Sequence, residues 1–311
     1  MARILSLTLN PALDLTVSLA ALQPGTVNRS LGLHTHAAGK GLNVAQVLAD
    51  LGHKVTVSGF LGQANTAPFE ALFARRGFVD AFVRVPGETR SNIKLAEHSG
   101  RITDLNGPGP QVEAAHQAEL FEELERIVAG HDAIVVAGSL PQGVSPAWFG
   151  GLLRQLQAFG LPLALDSSGA ALRAGLGVSP WLIKPNEEEL AEACALPVSS
   201  AAELRAAALR LRASGVEHVL LSRGAEGVYW FGPDIALQAR PPRVEVVSTV
   251  GAGDSLLAAT LHGLLSGWPA ERTLRLATAI AAQAVTQLGF GIHDRDQLAR
   301  LEAGVAVASL D

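Results

Sequence analysis

The chain has 311 residues, 48% of them hydrophobic and 17% charged, with 32 glycines. That is long enough for one large domain with a small appendage, and too apolar for a disordered chain. A net charge of −5 supplies no field for nucleic acid or an acidic membrane, and the single cysteine, Cys194, excludes an internal disulfide framework and suits a reducing cytoplasm.

An apolar run over 4–9 opens the chain. Asn10, Pro11 and Asp14 break it too early for a secretory leader or a membrane span, so it reads as a buried first strand. Residues 12–36 then alternate apolar with polar and carry no helix signal. A helix over 41–51, a strand over 55–60 and a helix over 67–76 follow, and the alternation returns over 88–105, with a turn at Ser99-Gly100. Beyond it the patterns predict helices over 113–129, 146–159, 187–194 and 201–213, with strands over 133–137, 161–165, 182–184 and 218–222. Two apolar helices, over 254–265 and 270–288, come last.

Near-continuous apolar strands joined by helices predict an α/β fold in three layers, with a mainly parallel, doubly wound sheet covered on both faces. Period-two alternation predicts a sheet with one wet face, which does not belong inside such a core. The expected division is therefore a core of 1–11, 37–87 and 106–311, and a small β lid of 12–36 and 88–105. A lid facing the site would exclude water; two ordinary surface hairpins are the alternative.

The most informative stretch is Val250-Gly251-Ala252-Gly253-Asp254-Ser255, followed by an apolar helical run. Two glycines around one small residue can aim their N–H groups at one point, and the helix beginning there adds its free donors and the positive end of its dipole. Asp254 lies at the rim of this anion-holding nest, where a carboxylate can take a proton from a hydroxyl. An anion hole beside a general base suits transfer of a phosphoryl group to an alcohol, the work of a small-molecule kinase. A tight turn with Asp254 as a helix cap is the plainer reading.

Other segments carry further polar groups. Gly39-Lys40-Gly41-Leu42-Asn43 allows close backbone approach to a ligand, with Lys40 for a phosphate and Asn43 for a hydroxyl, but it lacks the spacing of a Walker loop. Arg90, Asn92 and Lys94 at spacing two share one strand face, suited to a sugar phosphate or simply to solvent. Ser139 and Lys184 follow strands, and ligands of open α/β sheets bind outside the carboxyl ends. Asn186 and Glu189, one helical turn apart, can reach a hydrated Mg²⁺ or cap their own helix. The loop Ser222-Arg223-Gly224-Ala225-Glu226-Gly227 suits a nucleotide, and Asp166 reads as a cap or outer-sphere group. His34 and His36 share a strand face without a third metal ligand, and no nucleophilic elbow or Cys–His pair points to hydrolysis.

Six motifs in order, Asn10-Pro11-Ala12-Leu13-Asp14, Gly39-Lys40-Gly41-x-Asn43, Thr89-Arg90-x-Asn92-x-Lys94, Gly138-Ser139-Leu140-Pro141, Lys184-Pro185-Asn186-x-x-Glu189 and Ser248 to Ser255, resemble the ribokinase-like (PfkB) carbohydrate kinases. The resemblance spans residues 3 to 295. It implies a three-layer α/β/α domain with a β-sheet lid, often a homodimer through that lid. It further implies Asp254 as catalytic base, with Gly251, Ala252 and Gly253 as anion hole. Sugar contacts would come from Asp14, Gly39, Asn43 and Arg90, with Lys40, Asn92, Lys94 and Ser139 beside them. Nucleotide contacts would come from Ser222, Gly224 and Gly227, with Lys184, Ala225 and Gly253, and a magnesium link from Asn186 and Glu189 through water. Arg223 stands where the family pattern has an apolar residue.

Lys40 is typical of the branch acting on fructose 1-phosphate. The implied reaction is transfer of the γ-phosphoryl group of ATP, with Mg²⁺, to the 6-hydroxyl of D-fructose 1-phosphate. Tagatose 6-phosphate and fructose 6-phosphate are rival acceptors, and a non-catalytic sugar-phosphate sensor is the rival from another class. The expected partners are a sugar phosphate and a nucleotide, with no nucleic acid or membrane, in the cytoplasm.

Overall fold

A computed structural model describes residues 1–195, 198 and 200–310; residues 196, 197, 199 and 311 of the expected core range lie outside that set. The first strand, β1 (Arg3–Thr8), sends Ile4 into one core and Leu5 and Leu7 into the other. The chain leaves this layer for β2 (Ala12–Leu19) and β3 (Gly32–Ala38). It returns through α1 (Lys40–Asp50), β4 (Lys54–Gly62), α2 (Ala67–Arg76) and β5 (Val79–Val85), then leaves again for β6 (Arg90–Glu97) and β7 (Ile102–Asn106).

From there α3 (Ala114–Ile127), β8 (Ala133–Ala137), α4 (Pro146–Ala158), β9 (Leu163–Asp166), α5 (Gly169–Leu176), β10 (Leu182–Ile183), α6 (Glu187–Cys194), α7 (Ala201–Ala213) and β11 (His218–Ser222) alternate. A pair of strands, β12 (Val228–Gly232) and β13 (Ile235–Arg240), precedes α8 (Ala252–Leu265), α9 (Ala270–Ala284), α10 (Arg295–Gly304) and β14 (Ala306–Ser309).

Among the described residues the main sheet has the order β14-β13-β12-β11-β10-β9-β8-β1-β4-β5. Neighbours from β11 to β5 run parallel, and β12, β13 and β14 form an antiparallel edge. Alternation along each strand feeds two cores: Ala133, Val135 and Ala137 of β8 belong to the cluster that includes α1, α8 and α9, while Ile134 and Val136 belong to the one that includes α3, α4 and α7. The parallel strands end at one rim, where the chain continues as Asn10, Gly138, Ser167, Lys184 and Arg223. That rim is where a doubly wound sheet binds its ligands.

The structure departs from the sequence reading at several elements. The strands β5, β12, β13 and β14 and the helices α5 and α10 are additional. At the sheet's outer edge β5 carries Asp80 and Arg84, which mask its apolar signal. Helix α9 stops at Ala284 instead of 288, because the carbonyl of Val285 accepts from Val247 and Ser248 and Gly289 and Gly291 turn the chain at positive φ.

The second sheet has the order β3-β2-β6-β7, with β2 and β6 parallel and the outer pairs antiparallel. Its register puts Asp14 between His36 and Asn92, and Thr16 between His34 and Lys94, on one face. Leu13, Leu15, Val17, Leu33, Ile93, Leu95 and Leu105 fall on the other. Leu33 and Leu105 are 59% and 53% exposed on that apolar face. No described helix is long and apolar enough to cross a membrane.

Candidate active site

Two helix N-termini meet at the rim. Gly251 precedes α8 in a left-handed conformation, φ +81°, and Asp254 follows in the first turn, only 6% exposed. The first-turn amides of a helix have no partner within it, so those around Gly253 face outward as donors. Asn43, in the first turn of α1, donates from Nδ2 to Asp254 Oδ2 across 2.7 Å. Helix α1 reaches this place because Gly41 lies directly on β1: a Cβ there would sit 2.3 Å from Thr8 Oγ1 and 2.6 Å from the Leu7 carbonyl oxygen. Gly39, at φ +136°, also lies against Thr8 and Pro11, where a Cβ would come within 2.7 Å of Thr8 Cγ2 and 3.0 Å of Pro11 Cα.

Asp166, at the end of β9, has a fully buried side chain between two ammonium groups, Lys40 Nζ at 3.1 Å and Lys184 Nζ at 3.3 Å. The sequence reading as a cap or outer-sphere group did not include these partners, because nothing local in Asp166-Ser167-Ser168 shows that two distant lysines converge on it. Lys184 in turn faces the nest, with Nζ 3.1 Å from where a Cβ on Gly253 would be. Burial, and then the charge of Asp166, push the Asp254 carboxyl up to about 6, against the opposing pull of Lys40, Asn43 and Lys184. Burial works against the charge on Lys40, but Asp166, Asp254 and Glu189 outweigh it and hold that ammonium above the ordinary lysine value.

The expected sugar-side residues have specific protein partners. Lys40 sits on Asp166 rather than free for a phosphate. Arg90 donates to the carbonyls of Asn10 (3.1 Å), Pro11 (3.4 Å) and Gly107 (3.4 Å), which ties β6 to the loops at the rim. Asn92 Nδ2 donates to Asp14 Oδ1 at 3.0 Å, and Lys94 pairs with Asp104 at 2.9 Å. Burial raises the Asp14 carboxyl above its ordinary value, against Asn92, Lys94, Arg90 and His36. Ser139 Oγ accepts from Asn10 Nδ2 at 3.2 Å. Asn10 Oδ1, Asn43 Oδ1, Asn92 Oδ1 and Thr8 Oγ1 are buried near this rim without a hydrogen-bond partner. His34 and His36 line a small space beside Asp14, with Ser248 and Gln287 opposite.

Asn186 and Glu189 form a reciprocal cap: Asn186 Oδ1 accepts from the Glu189 amide at 2.8 Å, and Glu189 Oε2 accepts from the Asn186 amide at 2.9 Å. The capping alternative describes these contacts, while the Glu189 charge still reaches Lys40. No group of three or more His, Cys, Asp or Glu is arranged to hold a metal among the described residues. The side-chain oxygens of Asn186 and Glu189 are of the type a hydrated Mg²⁺ takes through its waters.

Ser222, Gly224, Ala225, Gly227, Ala252 and Gly253 line a cleft of about 520 Å³. Its other wall was not anticipated: Pro241, Pro242, Arg243, Val244 and Val246, with Thr278, Ala281 and Ala282 of α9 and Val285 just beyond it. The apolar stripe of α9 was the available signal, but in sequence it reads as core. Lys184 is not among the lining residues. Arg223 turns away from the cleft, pairing with Glu187 at 2.6 Å and lying over the Tyr229 ring at 4.5 Å. Its departure from the family pattern therefore falls outside the cleft.

A raised carboxyl abutting helix-end amides, with a cleft lined by the same Ala252 and Gly253, suits enzymes that move a phosphoryl group onto a hydroxyl. The comparisons agree. Residues 7–296 match the model of the pfkB family carbohydrate kinases, and the chain belongs to that family. It is 47% identical to a 1-phosphofructokinase from Vibrio cholerae over 99% of this chain and 97% of the relative. It is 44% identical to a 1-phosphofructokinase from Escherichia coli K12, covering 97% of each. Among solved structures, the tetrameric inhibited form of phosphofructokinase-2 from Escherichia coli superimposes with a TM-score of 0.89 at 29% identity, covering 97% of this chain and 99% of that one. The chain is a sugar-phosphate kinase.

Proposed function

We propose that the enzyme transfers the γ-phosphoryl group of ATP to the 6-hydroxyl of D-fructose 1-phosphate, giving fructose 1,6-bisphosphate and ADP. The observation that carries this reading is the buried Asp254 carboxylate, raised to about 6 and oriented by Asn43 beside the Gly251–Gly253 amides. The naming of the relatives supports the choice of acceptor.

Asp254 takes the hydroxyl proton as the sugar oxygen attacks the γ-phosphorus and the bond to the ADP oxygen breaks. The amides of residues 251–253 and the Lys184 ammonium receive the charge that builds on the phosphoryl oxygens. Mg²⁺, bound to the nucleotide and linked through water to Asn186 and Glu189, would offset phosphate charge. Asp14, Asn43 and Asn92 orient the sugar's hydroxyls, Gly39 admits it close to the backbone, and Arg90, Lys94 and Ser139 lie toward its existing phosphate, while Lys40 stays on Asp166 and adds positive charge beside Asp254. Ser222, Gly224, Ala225 and Gly227 hold the nucleotide.

The four-stranded sheet acts in this reading as a lid, and its apolar face pairs two copies into a homodimer. A kinase of this kind works in the cytoplasm. Steady-state assays of ADP release with fructose 1-phosphate, tagatose 6-phosphate and fructose 6-phosphate test the acceptor. The largest kcat/KM is expected for fructose 1-phosphate, and a larger value for either competitor overturns the assignment. Absence of ADP release with all three would favour a sensor.

A further inference from the structure

The ring of Phe290 occupies the space a side chain at Gly251 would need: a Cβ there would lie 2.8 Å from Phe290 Cδ1 and 2.9 Å from Cε1. Phe290 therefore buttresses the first residue of the nest. It sits in an irregular loop after α9 that is gripped by one ion pair. Arg76 Nη1 meets Asp50 Oδ1 at 2.7 Å, each side chain about one-fifth exposed. From that pair, Arg76 Nη2 donates to the Phe290 carbonyl at 3.1 Å, and Asp50 Oδ2 accepts from the Ile292 amide at 2.8 Å.

The residue between these two bonds is Gly291, at φ +106°. A Cβ on it would come within 2.5 Å of Asp50 Oδ2 and 2.7 Å of Arg76 Nη2, so a larger residue would strain the backbone and push the pair apart. Asp50 also ends the helix whose first turn carries Asn43. Helix α1 thus touches the site from both ends, through Asn43 on Asp254 and through Asp50, by way of Phe290, on Gly251.

We propose that Asp50 and Arg76 are positioning residues for phosphoryl transfer: their ion pair seats Phe290 against Gly251 and so keeps the nest amides in register with Asp254. Neither residue touches a substrate. Preorganised donors stabilise a transition state only where they are held to within a fraction of an ångström, and a loop of this kind needs an external anchor to provide that. The inference rests on the reading of the nest as the anion hole.

The test compares Arg76→Ala, Phe290→Ala and the double variant for kcat, both KM values, the pH profile and ADP-binding stoichiometry. Removing an entire donor of this class costs about 100-fold or more, so a displaced nest should lower kcat by about tenfold. In Arg76→Ala both KM values should stay within about twofold, with the acid limb unmoved and ADP stoichiometry at the parent value, and the double variant should be no slower than the worse single one. Arg76→Lys should recover part of the loss. The proposal is overturned if Arg76→Ala keeps kcat within about twofold, or if the two losses multiply. Should Arg76→Ala fail to fold, Asp50→Asn, which keeps an acceptor for Ile292, carries the same comparison. Asp254→Asn is run alongside: full turnover there removes the anion-hole reading, whereas an inactive Asp254→Asn with a fully active Arg76→Ala removes only the positioning role.

Discussion

Asn43 and Asp254 are 211 residues apart in sequence, yet an amide of one donates to the carboxylate of the other across 2.7 Å. This bond lowers the Asp254 carboxyl, while burial and Asp166 raise it, and the balance sits near 6. A base must be unprotonated to act, so kcat/KM should fall about tenfold per pH unit below that value. Asn43→Leu removes a lowering contact and should move the acid limb to higher pH. A pH–rate profile of both proteins checks this, and an unmoved limb would separate Asn43 from the base.

Asp166→Asn should shift the same limb the other way. It deletes a negative charge that raises Asp254 and leaves Lys40 and Lys184 to act on it unopposed. It should also destabilise the fold by about 3 kcal/mol, because Lys184 is buried and loses its counter-ion. Urea unfolding and the pH profile measure the two effects.

Asp254→Asn should lower turnover by about 100-fold or more. It should also raise the unfolding midpoint at pH 8. The carboxyl has a value of 3.8 in the unfolded chain and about 6 in the fold, so the native state carries the cost of a buried charge above pH 6. As pH falls through 6 toward 4 the parent takes up the proton and the difference should shrink. Thermal melts at pH 8 and pH 5 give the comparison, and a larger gap at pH 5 would contradict the sign.

Gly41→Ala forces a methyl group into Thr8 and the Leu7 backbone, which are not free to move. The cost should be about 1–3 kcal/mol, with a fall in kcat as α1 and Asn43 are displaced. Retained stability together with full activity would show that β1 and α1 can separate at no cost.

Leu33→Asp combined with Leu105→Asp puts charges on the apolar face of the four-stranded sheet, where both side chains are more than half exposed. Sedimentation should show a dimer for the parent and a monomer for the variant. An unchanged sedimentation coefficient would place the oligomer contact elsewhere.

Much of the architecture was legible because it rests on local periodicity. The strand over 133–137 and the helices over 67–76 and 187–194 fall where the patterns put them, since their apolar spacing is a property of consecutive residues. The edge strand β5 was not, because Asp80 and Arg84 belong to solvent and interrupt the apolar run. The glycines at 251 and 253 were readable as a helix-starting turn for the same local reason.

Partnerships between distant residues had no such signal. Arg90 on the carbonyls of Asn10, Pro11 and Gly107 is compatible with several sequence readings, and only the packing of β6 against the rim chooses among them. The amino-acid order dictates where helices and strands form and which loops are rich in glycine, because these follow from interactions over a few residues. The closeness of Asp166 to two lysines, and with it the proton affinity of Asp254, arises only when parallel strands align their ends. Coulomb forces and desolvation depend on distance through space, not on separation along the chain.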